Sequence, residues 1–152
     1  MSETPSNSTA GRFEYTAAFL LLRLFLGFRT LLAGLEKFEA GGRYNLANYA
    51  TNMDHMAQGI TGASFLPLWM TKTFAHSLGY VMIALGVAIL LGLKSRISLT
   101  LAGLVYVGLS FGLMAVQENE GIAWLGVHVG LFAGALVLSR HDRLALWRDR
   151  AD

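Results

Sequence analysis

Residues 20–38 read LLLRLFLGFRTLLAGLEKF. The stretch is apolar enough to enter a bilayer, yet it carries Arg23, Arg29, Glu36 and Lys37. Ionisable residues inside a membrane span are costly, so they face other helices or a water-filled cavity and pair there. Arg23, Gly27, Thr30, Gly34 and Lys37 recur at steps that trace one helical stripe, polar and small, suited to a bundle interior. Arg23 and Lys37 are the structural charges of that stripe. Arg29 and Glu36 lie seven residues apart and share a second face.

The rest of the chain is read outward from this helix. The protein has 152 residues, 54% of them hydrophobic and only 14% charged, against about 25% charged in an ordinary soluble domain. Mean hydropathy is +0.48. These values predict an all-α integral membrane four-helix bundle. A net charge of +2 without a long basic run gives no footprint for nucleic acid. The absence of cysteine excludes disulfides and thiolate chemistry within the chain.

Residues 1–14 are small and polar and read as a disordered leader. The first apolar run is too long for a signal peptide, so the first helix is expected to be retained. The membrane domain is expected over 15–139, with spans at about 15–36, 68–93, 97–116 and 122–138. Between the first two spans, Leu46, Tyr49, Met53, Met56 and Ile60 recur at three- and four-residue steps. That is an amphipathic helix too polar to span, set to lie at the membrane surface or to cover the bundle. Residues 140–152 form a basic amphipathic tail whose Trp147 suits a lipid interface.

Arg12, Lys94, Arg96 and the tail arginines Arg140, Arg143, Arg148 and Arg150 fall on one side of the spans. Lys37, Arg43 and Lys72 fall on the other. The richer side should be cytoplasmic, with both termini inside and the amphipathic connection outside.

Three groups fall at matching depth, roughly 10 to 15 Å below the outer end at 1.5 Å per residue: Arg29, His76 and His128. Tyr106 on the third span can join them, and Glu36 and Glu118 lie at the rim. A quinone needs an apolar slot, donors at its carbonyl oxygens and protonatable groups nearby, and these residues supply them. A haem held by His76 and His128 is the lesser alternative. Without a carboxylate or thiolate cluster, two histidines make a poor metal site, so none is assigned. His55 on the connection is expected to be solvated. Gly126, Gly130 and Gly134 in the fourth span, with Gly108 and Gly112 in the third, are expected to serve close packing, within the bundle or between subunits.

The first span, with Arg23, Gly27 and the ending Gly34-Leu35-Glu36-Lys37-Phe38, resembles the opening of the DoxX/DoxD family of small bacterial membrane proteins. The turn with Gly92, Lys94 and Arg96 is similar, as is a fourth span ending in a basic segment with Asp142 and Arg143. The likeness covers about residues 20–143. It implies a four-helix membrane fold and, by the family's link to thiosulfate:quinone oxidoreductase, a subunit that meets the quinone pool of the bacterial inner membrane. Sulfur oxidation itself would need a thiosulfate-binding partner. The expectation is therefore a quinone-binding inner-membrane subunit of an electron-transfer system, in contact with lipid and with other membrane or periplasmic subunits or further copies of itself. The alternative is a non-catalytic scaffold or assembly subunit. A transporter is disfavoured, because no span is interrupted as transporter helices are.

Overall fold

The computed structural model describes residues 8–142, 146 and 147. Five α-helices dominate: α1 (Ser8–Glu36), α2 (Leu46–Ala63), α3 (Leu68–Leu91), α4 (Ser95–Ala115) and α5 (Asn119–Leu138), the last continued by a 3-10 turn at Ser139–His141. Four of them, α1, α3, α4 and α5, are long and apolar enough to cross a membrane. Their limits lie within about three residues of those expected, except that α1 begins at Ser8, inside the stretch read as a leader. Residues 1–7 of that leader, and Arg143, Arg148 and Arg150 of the tail, lie outside the described residues.

Local chemistry sets the breaks. Gly41 (φ 59) and Gly42 (φ 78) take left-handed backbone between two short strands, β1 (Glu39–Ala40) and β2 (Arg43–Tyr44). Two such residues make the tight turn that suits the twist of a hairpin. Asn45 then caps α2, its side chain accepting from the Asn48 N–H at 2.7 Å. Gly92 (φ 66) ends α3 in the left-handed conformation that glycine adopts at no steric cost.

The four long helices form a ring in which α1 touches α3 and α5, and α4 touches α3 and α5. Phe19 and Leu26 of α1, Leu78 and Met82 of α3, Leu99 and Tyr106 of α4, and Phe132 of α5 fill its core. The closest crossing is α1 on α3. A Cβ on Gly86 would lie 2.6 Å from the Leu31 backbone nitrogen, and one on Gly34 would lie 2.9 Å from that of Ile83. By contrast, Gly126, Gly130 and Gly134 of α5 meet nothing within 4 Å. Their face is turned away from the bundle, so among the described residues these glycines pack on no other helix.

Helix α2 lays Tyr49, Met53, Ala57 and Ile60 against the bundle and packs chiefly on α3. At the opposite end, Arg23 is buried and its Nη1 lies 3.0 Å from Asp142 Oδ1. Ser95 Oγ donates to the other oxygen of the same carboxylate. Beyond this pair the chain returns to the α3–α4 turn: the Trp147 N–H donates to Gly92 O, the Lys94 N–H donates to Trp147 O at 2.9 Å, and the Lys94 ammonium sits 5.4 Å from the Trp147 ring centre. Here the tail bonds to the protein's own backbone, a long-range pairing that its lipid-suited composition did not indicate.

Two outcomes follow for thermal unfolding in mild detergent. Arg23→Leu strands a buried carboxylate and should cost about 3 to 5 kcal/mol, while adding Asp142→Asn should recover part of that loss. Gly86→Ala should cost about 1 to 3 kcal/mol by overpacking, and Gly130→Ala should unfold with the parent.

Candidate functional site

All five helices border one cavity of about 460 Å³ at the end of the bundle that α2 covers. The size falls in the range of small-molecule sites, roughly 300 to 1,000 Å³. Its walls are mostly apolar: Met56 and Ile60 from α2, Phe74 and Met82 from α3, Leu109 and Leu113 from α4, Trp124 and Leu125 from α5. Small residues keep it open, with Gly59 from the cover, Gly112 from α4 and Gly121 from α5. Of the site residues read from the sequence, Arg29, Glu36, Lys37, Tyr106 and His128 line this cavity. His76 and Glu118 do not.

His128 is the most constrained of these groups. Its Nδ1 lies 2.7 Å from the carbonyl oxygen of Trp124, one turn back on α5. A carbonyl can only accept, so Nδ1 carries the proton. Nε2 is buried and has no hydrogen-bond partner. A polar atom left so costs about 1 to 3 kcal/mol. The imidazole lies between two rings, with centres 5.4 Å from Tyr106 and 6.1 Å from Phe25, both stacked. The Tyr106 hydroxyl meets Thr30 Oγ1 at a long 3.5 Å.

The charged groups lie toward the open edge. Arg29 Nη1 is 3.7 Å from Glu36 Oε2, with side chains 42% and 65% exposed. Such a pair is worth little and leaves the guanidinium available to another acceptor. Burial lowers the Lys37 pKa from its ordinary value of 10.5, Glu36 pulls it back up, and Arg29 lowers it further.

His76 belongs to a different cluster. Its Nε2 lies 2.8 Å from Asp54 Oδ1, and Lys72 Nζ lies 3.0 Å from the same oxygen. The cause is helix rotation. Each residue turns the helix by about 100°, so His76 points roughly opposite to Phe74, which faces the cavity. Matched depth therefore does not bring His76 and His128 to one ligand, and they do not face each other across a common space. Glu118 instead precedes the first turn of α5 and is exposed. His55 is exposed on α2, and His141 stacks on Tyr15 at 5.1 Å.

The His76 cluster holds the cover down. Tyr49 of α2 donates to the His76 carbonyl oxygen at 2.7 Å and accepts from the Gly79 N–H at 3.2 Å. Gly79 is required there, since a Cβ would fall 2.5 Å from the Tyr49 ring. Phe38 stacks on the same ring at 4.2 Å. Thr61 and Thr71 share a hydrogen bond of 2.6 Å at the far end of α2. Sequence reasoning missed Asp54, because its partners are 18 and 22 residues away on another helix and no local spacing joins them. Among the described residues, no group of three or more His, Cys, Asp or Glu is placed to hold a metal ion.

Comparison with protein-family models, with curated proteins and with solved structures finds no match.

The hydrogen bond from His76, and then that from Lys72, holds the Asp54 carboxyl below its ordinary pKa of 3.8. A carboxylate depressed in the folded state stabilises it fully above the ordinary value and loses that contribution as pH falls through the depressed one. Amide protection in α2 should therefore weaken as the pH drops below about 3.8. Asp54→Asn should show reduced protection at neutral pH and little further loss on acidification. Hydrogen exchange resolved to α2 peptides, corrected for intrinsic rates, checks both.

Proposed function

We propose that this chain is a DoxX-like multi-pass protein of a bacterial inner membrane, with both termini cytoplasmic, that binds quinone and serves an electron-transfer system. The observation that carries the reading is the cavity: an apolar, aromatic-walled slot with Arg29, Tyr106 and His128 in its lining. A quinone ring would lie among Phe74, Trp124 and Tyr106, with Arg29 donating to one oxygen and polarising it. Glu36 and Lys37, at the outer end of α1, would exchange protons with water. Four apolar helices with large exposed side chains such as Phe25, Phe28, Leu104 and Val127 support immersion in lipid. The bias of Lys94, Arg96 and Arg140 to the end away from α2 supports the orientation.

One observation favours a second reading, a scaffold or assembly subunit. Among the described residues the glycine face of α5 packs on no other helix, and close helix contact is what such glycines permit. In that reading the chain is a non-catalytic member of a larger membrane complex and carries no redox ligand.

Quinone content of the protein purified in mild detergent separates the two. The first reading expects near-stoichiometric quinone, and the second expects none. Arg29→Leu should weaken retention by about tenfold or more, the loss of one charged hydrogen bond of roughly 1.5 to 3 kcal/mol, while His55→Leu leaves it unchanged. Equal retention in both variants and the parent would remove Arg29 from the site. For topology, single cysteines at positions 6 and 119 should label from opposite sides of the membrane, a clean test because the chain has no native cysteine.

A further inference from the structure

The polar groups around the cavity differ in what they can give and take. Arg29 and Lys37 can only donate. The Tyr106 hydroxyl can do either. Glu36 accepts, but it lies at the exposed edge beside Arg29. His128 Nε2 stands apart. Because Nδ1–H is committed to the Trp124 carbonyl, Nε2 of the neutral ring is an acceptor and nothing else. It is buried, it has no partner, and the residue is 8% exposed. It also belongs to the cavity wall.

We infer that the cavity selects the hydroxyl-bearing, reduced form of its ligand: a hydroquinone whose O–H donates to His128 Nε2, in preference to the quinone. The inference rests on the quinone reading above and adds the redox state to it. A quinone offers only carbonyl lone pairs, so at His128 two acceptors would meet and both would stay unsatisfied. A hydroquinone resolves this with one hydrogen bond. Its second oxygen can accept from Arg29 in either redox state, so Arg29 contributes affinity without discrimination. Tyr106 adapts its hydroxyl to whichever form is present. Discrimination therefore falls on His128, whose buried Nε2 can only accept, as specificity often does when the wrong partner leaves a buried polar group unpaired. His128 lines the cavity, and a ligand O–H that reaches its Nε2 completes the hydrogen bonding of the imidazole.

The test titrates the full-length protein in phospholipid nanodiscs, without oxygen, with a short-chain benzoquinone and separately with its hydroquinone. The parent should bind the hydroquinone about tenfold more tightly. That ratio corresponds to a rise of about 30 mV in the potential of the bound two-electron couple. His128→Phe keeps a ring between Tyr106 and Phe25 and removes the acceptor. It should bind both forms with similar affinity, through loss at the hydroquinone rather than gain at the quinone. Equal affinities in the parent, or a preference for the quinone, overturn the inference while leaving the quinone site standing. Saturable binding of neither form overturns the proposed function and this inference with it. Because the parent alone decides the preference, the result does not depend on the variant folding.

Discussion

The backbone contact between α1 and α3 governs the rest of the bundle. Gly34 and Gly86 let the two chains meet where any side chain would collide with main-chain atoms, at 2.9 and 2.6 Å. Gly27 extends the seam, since a Cβ there would press on Leu90 at 2.7 Å. The packing of α1 on its other neighbour, α5, is less extensive. Rings stand on that side: Phe25, His128 and Tyr106 stack one on the next. Toward the end that α2 covers, the cavity opens among all five helices. Small residues thus stand on one side of α1 and an aromatic stack on the other.

The two ends of the bundle are closed by different means. At one end, the Arg23 guanidinium and the Asp142 carboxylate neutralise each other with side chains only 6% and 7% exposed. That pair joins α1 to the segment after α5, and Ser95 joins α4 to the same carboxylate. A charge pair so enclosed is costly to break. At the other end, the side chains of Arg29, Glu36 and Lys72 are 42%, 65% and 53% exposed, and a separate helix provides the cover. One closure is part of the bundle; the other lies on top of it.

Much of this was legible in the sequence, for an identifiable reason. Hydropathy and the length needed to cross a bilayer locate long apolar helices to within a turn, and here α3, α4 and α5 end close to where their apolar runs end. The three- and four-residue steps of Tyr49, Met53 and Ile60 likewise marked the buried face of α2. Depth along a helix follows from counting residues, so Arg29, Tyr106 and His128 could be matched in height. Azimuth does not follow from counting. His76 stands two residues after Phe74, and that offset alone turns it from the cavity to α2. Pairings between distant segments were equally hidden. Arg23 meets Asp142 across 119 residues, and nothing in either neighbourhood names the other.

The contrast in fastening decides where the molecule opens most easily. Separating α1 from α3 would expose backbone and the large buried chains Leu26, Leu78 and Ile89 together, a loss shared by the whole core. Lifting α2 exposes a smaller cluster, Tyr49, Met53 and Ala57. It exchanges a few polar contacts, Asp54 with His76 and Lys72 and Thr61 with Thr71, for contacts with water. Local opening follows the elements with fewer buried contacts and more solvent-accessible hydrogen bonds. Met56, Gly59 and Ile60 are the cavity's share of that cover, so the motion that costs least is also the one that widens the cavity beside His128. The chemistry of the site is set by the ring of four helices, and access to it is set by the fifth.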